Sequence, residues 1–277
     1  MNERPLILTT CDDGIDSPGL RAAVEAVLGL GDVVISAPCE QQSGSGRSLP
    51  SFNDGVVHAI EYEVDGQRIP AFAVHGSPAQ AVLYALVELV SRKPALCVAG
   101  VNSGSNIGTT ITTSGTIGAA LEAANEGVPA LAVSLETDLK YHYQHSDEIN
   151  FSTASHFTRL FARQMLSKMM PPDVDTIKID VPCDATPATP WRMTRLSRQR
   201  FYQAQPSGRR SLGDRLRLGY AIVVDYDSLE PDSDIHALCV DRVVSATPLS
   251  LDLTSRVSIP QLESLLQDPA KAVTSGP

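Results

Sequence analysis

Pro5-Leu6-Ile7-Leu8-Thr9-Thr10-Cys11-Asp12-Asp13-Gly14-Ile15-Asp16-Ser17-Pro18-Gly19 is the stretch on which the fold turns. Leu6 to Thr10 is a short apolar and β-branched run bounded by turn residues, so it reads as a buried strand. Gly14 permits unusual backbone angles, and Pro18-Gly19 punctuates the loop before the next element. From Leu20, Val24, Val27 and Leu28 fall at helical spacing. The unit is therefore strand, acidic loop, helix, the repeat from which an α/β protein is built. In open α/β sheets ligands bind beyond the carboxyl ends of strands, where Asp12 and Asp13 would lie. Adjacent carboxylates repel, and a divalent cation offsets that repulsion best. The competing reading is that one Asp caps the helix and the other faces water.

The pattern repeats along the chain. Asp32 to Ser36 reads as a second strand stopped by Ala37-Pro38, and the loop Cys39 to Ser48 offers small polar groups, including Ser43, at its end. That loop carries neither GxGxxG nor GxxxxGK[ST], so dinucleotide and P-loop readings have no support. Residues 56 to 74 alternate around Asp65-Gly66, a hairpin signal expected to form an appendage to the α/β pattern. Gly76-Ser77-Pro78 opens a helix with Val82, Leu83, Leu86, Val87 and Val90 on its apolar face. Ala95 to Ala99 then feeds a loop of glycines and amides, Gly100 to Gly108, in which Asn102 and Asn106 supply oxygens and N–H donors. Ser114-Gly115-Thr116 precedes the helix former Ala119 to Ala124, and the amides of a helix N-terminus attract anions.

Composition limits the partners. The 277 residues are 43% hydrophobic, enough for one large domain. With 22 Lys+Arg against 32 Asp+Glu the net charge is -10, which argues against a nucleic-acid polymer or an anionic membrane as partner. Any phosphate must meet a local site. Five scattered cysteines without CxxC spacing indicate neither a disulfide framework nor structural zinc, and no apolar run is long enough to span a bilayer. A soluble cytoplasmic protein is expected.

Later segments carry less chemistry. Tyr141 to His145 brings His142 and His145 three apart, read as a loop near the substrate mouth in preference to a metal pair. Ser155 to Met170 reads as an amphipathic helix and Thr176 to Val181 as a strand. Cys183 to Pro190 reads as linker. Eight arginines between Arg192 and Arg217 reverse the acidic average and are expected to coat a β-arm, with one or two able to reach a phosphate. A short helix around Gln261 to Gln267 and a flexible tail close the chain.

The Thr9-Thr10-Cys11-Asp12-Asp13-Gly14 run, Ser43-Gly44, Gly76-Ser77-Pro78-Ala79, Gly100 to Gly108, Ser114-Gly115-Thr116, Asp234 to Leu238 and Val243 to Leu249 occur in the order and approximate spacing of the SurE family. This chain resembles those metal-dependent nucleotidases and acid phosphatases over roughly residues 5 to 253. The resemblance implies that Asp12, Asp13, Ser43 and Asn102 bind the metal, and that Ser114, Gly115 and Thr116 line a phosphate pocket with Asn102 and Asn106. It also implies an α/β fold with a three-layer, Rossmann-like, mostly parallel sheet and a C-terminal β-hairpin or arm, and homodimers or homotetramers, with residues 183 to 230 as that oligomerisation arm on a single domain of residues 1 to 253. Two carboxylates, a hydroxyl and an amide oxygen form a hard donor set suited to Mg²⁺ or Mn²⁺. Such an ion neutralises phosphate charge and lowers the pKa of water for attack on a nucleoside monophosphate. Asp12 or Asp13 could also take a proton. Two departures stand out: Cys11 where the family usually has Asn, and Gln80 where it commonly has Asp, the latter expected to be structural. A silent metal- or nucleotide-binding protein and a receiver-like domain are the alternative classes.

Overall fold

The computed structural model describes residues 3–142 and 144–267. The expected flexible tail lies outside the described residues. Leu6–Thr10 forms β1 and Asp32–Pro38 forms β2, joined by helix α1 over Pro18–Val27. Helix α1 starts two residues earlier than its apolar spacing indicates, because Ser17 caps it: the Ser17 hydroxyl accepts from the amides of Gly19 and Leu20. Gly19 has a packing reason to be glycine. A Cβ there would lie 1.9 Å from the Val101 carbonyl oxygen, so helix and sheet could not approach this closely with any other residue.

The central sheet has nine strands. β3 (Val57–Val64) and β4 (Gln67–Val74) turn at Asp65-Gly66, as the alternation indicates. The hairpin is not an appendage, however: β4 pairs in parallel with β2 and extends the main sheet. The ladder bonds β4 forms along β2 satisfy backbone groups that a free-standing hairpin would leave to water. β5 (Leu96–Ser103) pairs with β1 on the other side, followed outward by β6 (Ala130–Leu135) and β7 (Thr176–Val181), all parallel. The late strand β11 (Val244–Leu249) closes antiparallel on β7, and the three-residue β8 (Trp191–Met193) flanks it. Part of the 183–230 segment therefore belongs to the main sheet. The rest carries β9 (Tyr202–Gln205) and β10 (Gly219–Ile222), a separate antiparallel ribbon.

Helices cover both faces, so the central strands read as continuous apolar runs with alternate residues entering different cores. Ile7, Ile35, Val98, Val133 and Ile179 pack under α1 and α4 (Ser152–Ser167), which starts three residues before its sequence-read position. Leu8, Val34, Cys97, Ala99 and Ala132 pack under α2 (Pro78–Tyr84) and α3 (Gly115–Asn125). Truncating either Ile7 or Leu8, both fully buried, to alanine would cost about 2–5 kcal/mol. α2 passes into a π-helical turn at Ala85–Leu89, which shifts the phase of its apolar stripe. Val87, expected on the buried face, is consequently 72% exposed. Gln80 is structural, as expected: its Oε1 accepts from the Ser77 amide and its Nε2 donates to the Pro50 carbonyl, completing the cap of α2. Two short helices, α5 (Asp234–Cys239) and α6 (Ile259–Gln267), complete the described chain, and α6 buries none of its residues. No helix among the described residues is long and apolar enough to cross a membrane.

Candidate active site

Strand order around β1 creates the site. The chain leaves β1 towards β2 on one side and returns through β5 on the other, so the β1–β5 seam is a topological switch point. Asp12 and Asp13 follow β1, and Asn102 ends β5. A cavity of about 620 Å³ opens over this seam, lined by Asp12, Ser43, Asn102, Asn106 and Ser114 among others.

Both aspartates are only 3% exposed. Burial, and then the charge of Asp13, push the Asp12 carboxyl up to about 7, against the Thr116 hydroxyl, which donates to its Oδ1 at 2.6 Å. Burial likewise raises Asp13, although Gln41 Nε2 donates to Oδ1 at 2.7 Å and the Ser103 amide to Oδ2 at 3.0 Å. Two buried carboxylates held this way ask for a positive charge, and their remaining lone pairs are available to it. Gly115 provides room beside them: a Cβ there would come within 2.7 Å of Asp12 Cβ and 2.9 Å of Ser45 Oγ, a buried hydroxyl without a hydrogen-bond partner. An orphaned hydroxyl and a side-chain-free cradle beside a carboxylate fit a small oxygen-seeking cation. Asn102 Nδ2 donates to the Gly104 carbonyl at 2.7 Å, which commits the nitrogen side of that amide.

Asp12, Ser43, Asn102, Asn106 and Ser114 meet around one cavity, whereas Asp13, Gly115 and Thr116 stand behind its wall. The reason for Thr116 is that its hydroxyl is turned inward onto Asp12. Ser114 caps α3, accepting from the Ile117 amide at 3.1 Å, so the first amides of that 11-residue helix face the same region. The Ser43 loop is fixed at both ends: the Gln42 amide donates to the Asp12 carbonyl, and Arg47 pairs with buried Glu122 of α3 at 2.5 Å. Cys11 is buried and lines no part of the cavity; its Sγ lies 3.8 Å from both Ser17 Oγ and the Val101 carbonyl. His142 borders the cavity with its Nδ1 2.9 Å from the Tyr220 hydroxyl, whereas His145 is not part of the lining and donates from Nε2 to the Asp13 carbonyl at 2.9 Å, so the two rings serve different partners. Of the arginine segment, Arg200 reaches the cavity, while Arg192 and Arg195 pair with Asp241 and Asp232.

A buried ionic group behind the loop was not singled out from the sequence. Lys178 bonds to Asp180 and lies 3.2 Å from Asp234 Oδ2, all three fully buried. Asp180 accepts from the Asn106 amide at 2.7 Å, and Asp234 accepts from the Gly108 amide at 3.0 Å and the Ser197 amide at 2.9 Å. The triad thereby sets the backbone of the Asn106 loop. Its signal was present: Lys178 and Asp180 are charges two apart, on one face of a strand otherwise buried on both sides. A second charged knot, Glu136, Cys183 and Asp184, is already occupied by the Arg242 guanidinium.

Fold and site together define a doubly wound α/β protein with an acidic, hydroxyl-lined crevice at its switch point. The family model described as Survival protein SurE matches residues 7–203. The 5'-nucleotidase SurE of Thermococcus gammatolerans is 40% identical over 261 residues, covering 94% of this chain and 95% of that protein. The 5'-nucleotidase SurE of Thermococcus kodakarensis is 39% identical, with 94% and 98% covered. The crystal structure of the SurE protein from Aquifex aeolicus superposes with a TM-score of 0.74 at 28% identity, over 95% of this chain and 100% of that one. The chain belongs to the SurE family.

Proposed function

We propose that this protein is a divalent-metal-dependent phosphomonoester hydrolase acting on nucleoside monophosphates, with Asp12, Asp13, Ser43 and Asn102 holding one Mg²⁺ or Mn²⁺ per subunit. The observation that carries this reading is the meeting, over one switch-point crevice, of the buried Asp12 carboxylate, backed by buried Asp13 in the next position, with an amide, hydroxyls and the cap of a helix. It agrees with the printed activity of the relatives, 5'-nucleotidase. When bound, the ion supplies Lewis-acid neutralisation of phosphate charge and lowers the pKa of water at the site. The protein's part is orientation. Thr116 fixes one oxygen of Asp12, and Gln41 with the Ser103 amide fixes Asp13, so neither carboxylate has to reorganise when the site loads. The amides beginning α3 offer donors to the equatorial phosphoryl oxygens, where charge accumulates in the transition state, and Asn106 borders the same cavity with its Nδ2 bonded to Ser134 Oγ at 2.9 Å and 3.4 Å from Thr116 Oγ1. Arg200, bordering the same cavity, adds a fixed positive charge at its rim.

We further propose residues 1–253 as one functional unit in the cytoplasm, assembling as a homodimer or homotetramer through the 183–230 arm. Breadth towards other phosphomonoesters belongs to the same reading. The test is phosphate release from a panel of nucleoside monophosphates and p-nitrophenyl phosphate, after chelation and then with added Mg²⁺, Mn²⁺ or Zn²⁺. Activity lost on chelation and restored by Mg²⁺ or Mn²⁺ is the expected result. Folded protein inactive with every metal would replace hydrolysis with silent binding.

A further inference from the structure

The crevice extends well past the acidic end. About 620 Å³ lies within the range of roughly 300–1,000 Å³ found for sites that enclose whole organic ligands, far more than a phosphoryl group fills. Its outer wall is aromatic. Tyr202 of β9 and Tyr220 of β10 border it together with His142. The rings form one cluster: His142 and Tyr220 lie near-parallel with centroids 6.0 Å apart and planes 21° apart, and Tyr202 meets both edge-on at 5.8 and 5.5 Å.

A two-stranded ribbon is marginal by itself, so its placement has to come from elsewhere. Two connections supply it. Phe201, beside Tyr202, is buried against Ile107 and Ile235, which packs the ribbon onto the Asn106 loop and α5. His142 Nδ1 and the Tyr220 hydroxyl are 2.9 Å apart, and Gln41 donates from one amide nitrogen both to Asp13 Oδ1 at 2.7 Å and to the His142 carbonyl at 2.9 Å. A continuous chain of bonds thus runs from the acidic pair to the aromatic wall, through residues 13, 41, 142 and 220. His142 also keeps its Nε2 buried without a hydrogen-bond partner at the Asn102–Gly104 turn, where a Cβ on Gly104 would come within 2.7 Å of it.

From this geometry we infer that Tyr202, Tyr220 and His142 form the subsite that takes the planar heteroaromatic base of the substrate, and that Tyr220 is its specificity-determining residue. The inference rests on the nucleotidase reading and names how that site tells a nucleotide from a simpler phosphate ester. The wall is apolar in its ring faces and polar at its edges, which suits a base that stacks and donates or accepts at its rim. The Asp13–Gln41–His142 bonds tie the wall to the acidic end, and the ring contacts of Tyr220 with His142 and Tyr202 seat it there, so a ring-bearing ester is positioned at both ends.

The experiment compares adenosine 5'-monophosphate with glycerol 2-phosphate, which has no ring, in wild type, Tyr220→Phe and Tyr220→Leu. Tyr220→Leu keeps an apolar side chain for the ribbon and removes the stacking face. The ratio of kcat/KM for the nucleotide over glycerol 2-phosphate should fall roughly 5- to 150-fold, the range base–aromatic stacking spans, mostly through KM. Tyr220→Phe retains the ring and should keep the ratio within about threefold of wild type. An unchanged ratio in Tyr220→Leu, whether activity holds or drops equally on both substrates, would overturn the subsite while leaving the hydrolase reading intact. Calorimetric binding of adenosine 5'-monophosphate to the same proteins separates the other case. If wild type binds the nucleotide, loses that binding in Tyr220→Leu and releases no phosphate with any metal, the subsite stands and hydrolysis falls.

Discussion

Replacing Lys178 by methionine tests how the crevice is held. The ammonium sits between Asp180 and Asp234, with no exposure of any of the three side chains. Methionine fills much of the volume but leaves two carboxylates facing each other in a dry interior. Removing one partner of a buried ion pair costs about 3–5 kcal/mol, because the remaining charge is uncompensated. Against a total stability of about 5–15 kcal/mol that is a large share, and it corresponds to a fall in Tm on the order of 10 °C. The loss has a pH signature. Burial pushes the Asp180 carboxyl up to about 6 even with Lys178 lowering it, so removing the ammonium raises it further. A carboxyl whose folded pKa exceeds its unfolded value binds more protons when folded, so its folded state is favoured below the unfolded pKa and loses that advantage as pH rises. The variant should therefore be nearly as stable as wild type at pH 5 and fall away between pH 5 and 8. Urea unfolding of chelated protein at both pH values, followed by circular dichroism, measures this. A loss below about 1 kcal/mol at pH 8, or an equal loss at both pH values, would refute the assignment of Lys178 as the charge that holds the Asn106 loop.

The remaining predictions concern the acidic end. Asp12→Asn and Asp13→Asn should each abolish metal-dependent turnover and leave the fold intact, checked by phosphate release and by near-ultraviolet circular dichroism. With burial and Asp13 raising the Asp12 carboxyl to about 7, the stability of chelated wild type should decline as pH rises from about 4 to 7. Asp12→Asn should flatten that slope, read from Tm at a series of pH values. Adding Mg²⁺ or Mn²⁺ at 100 times its Kd should stabilise wild type by about 2.7 kcal/mol and Asp12→Asn by much less, as measured by thermal shift. Gly115→Ala puts a Cβ 2.7 Å from Asp12 Cβ and should lower kcat by at least tenfold while costing about 1–3 kcal/mol of stability. Cys11→Asn should maintain or raise activity, since the thiol makes only long contacts of 3.8 Å to the Ser17 hydroxyl and the Val101 carbonyl and does not line the cavity; a large fall in kcat would show that the pocket is shaped around sulfur.

The parts of the fold legible in the sequence were those fixed by local chemistry. Leu6 to Thr10 reads as a buried strand, and Asp65-Gly66 marks the β3–β4 turn because few other residue pairs accept those backbone angles. Which strands paired was less accessible. That β4 joins β2, and that β11 runs antiparallel to β7, depends on contacts between segments remote in sequence. Val87 was misplaced because a π turn rephases the stripe, and helical periodicity assumes an unbroken 3.6-residue repeat. At the site, the residues around Asp12 and Asn102 were marked by composition: short polar groups and glycines following apolar strands. Tyr220 carried no such mark, and within the marked Cys39–Ser48 loop nothing distinguished Gln41 and Ser45 from their neighbours. Their roles come from distances to residues 28, 70 and 78 positions away, which no local pattern encodes.

The strands that carry the acids and the amide lie in the middle of the sheet, with α1 and α4 on one face and α2 and α3 on the other. The ladders between β1, β2 and β5 are thus the most protected, and the β3–β4 and β8–β11 margins the least. As the protein loosens on warming, opening begins at those margins and at the β9–β10 ribbon. Amide hydrogens of Ile7 to Thr10 and Cys97 to Ala99 exchange last. The acidic pair consequently outlives the wall that faces it: under the function proposed above, a partly opened molecule would keep its grip on the phosphoryl end and surrender discrimination first.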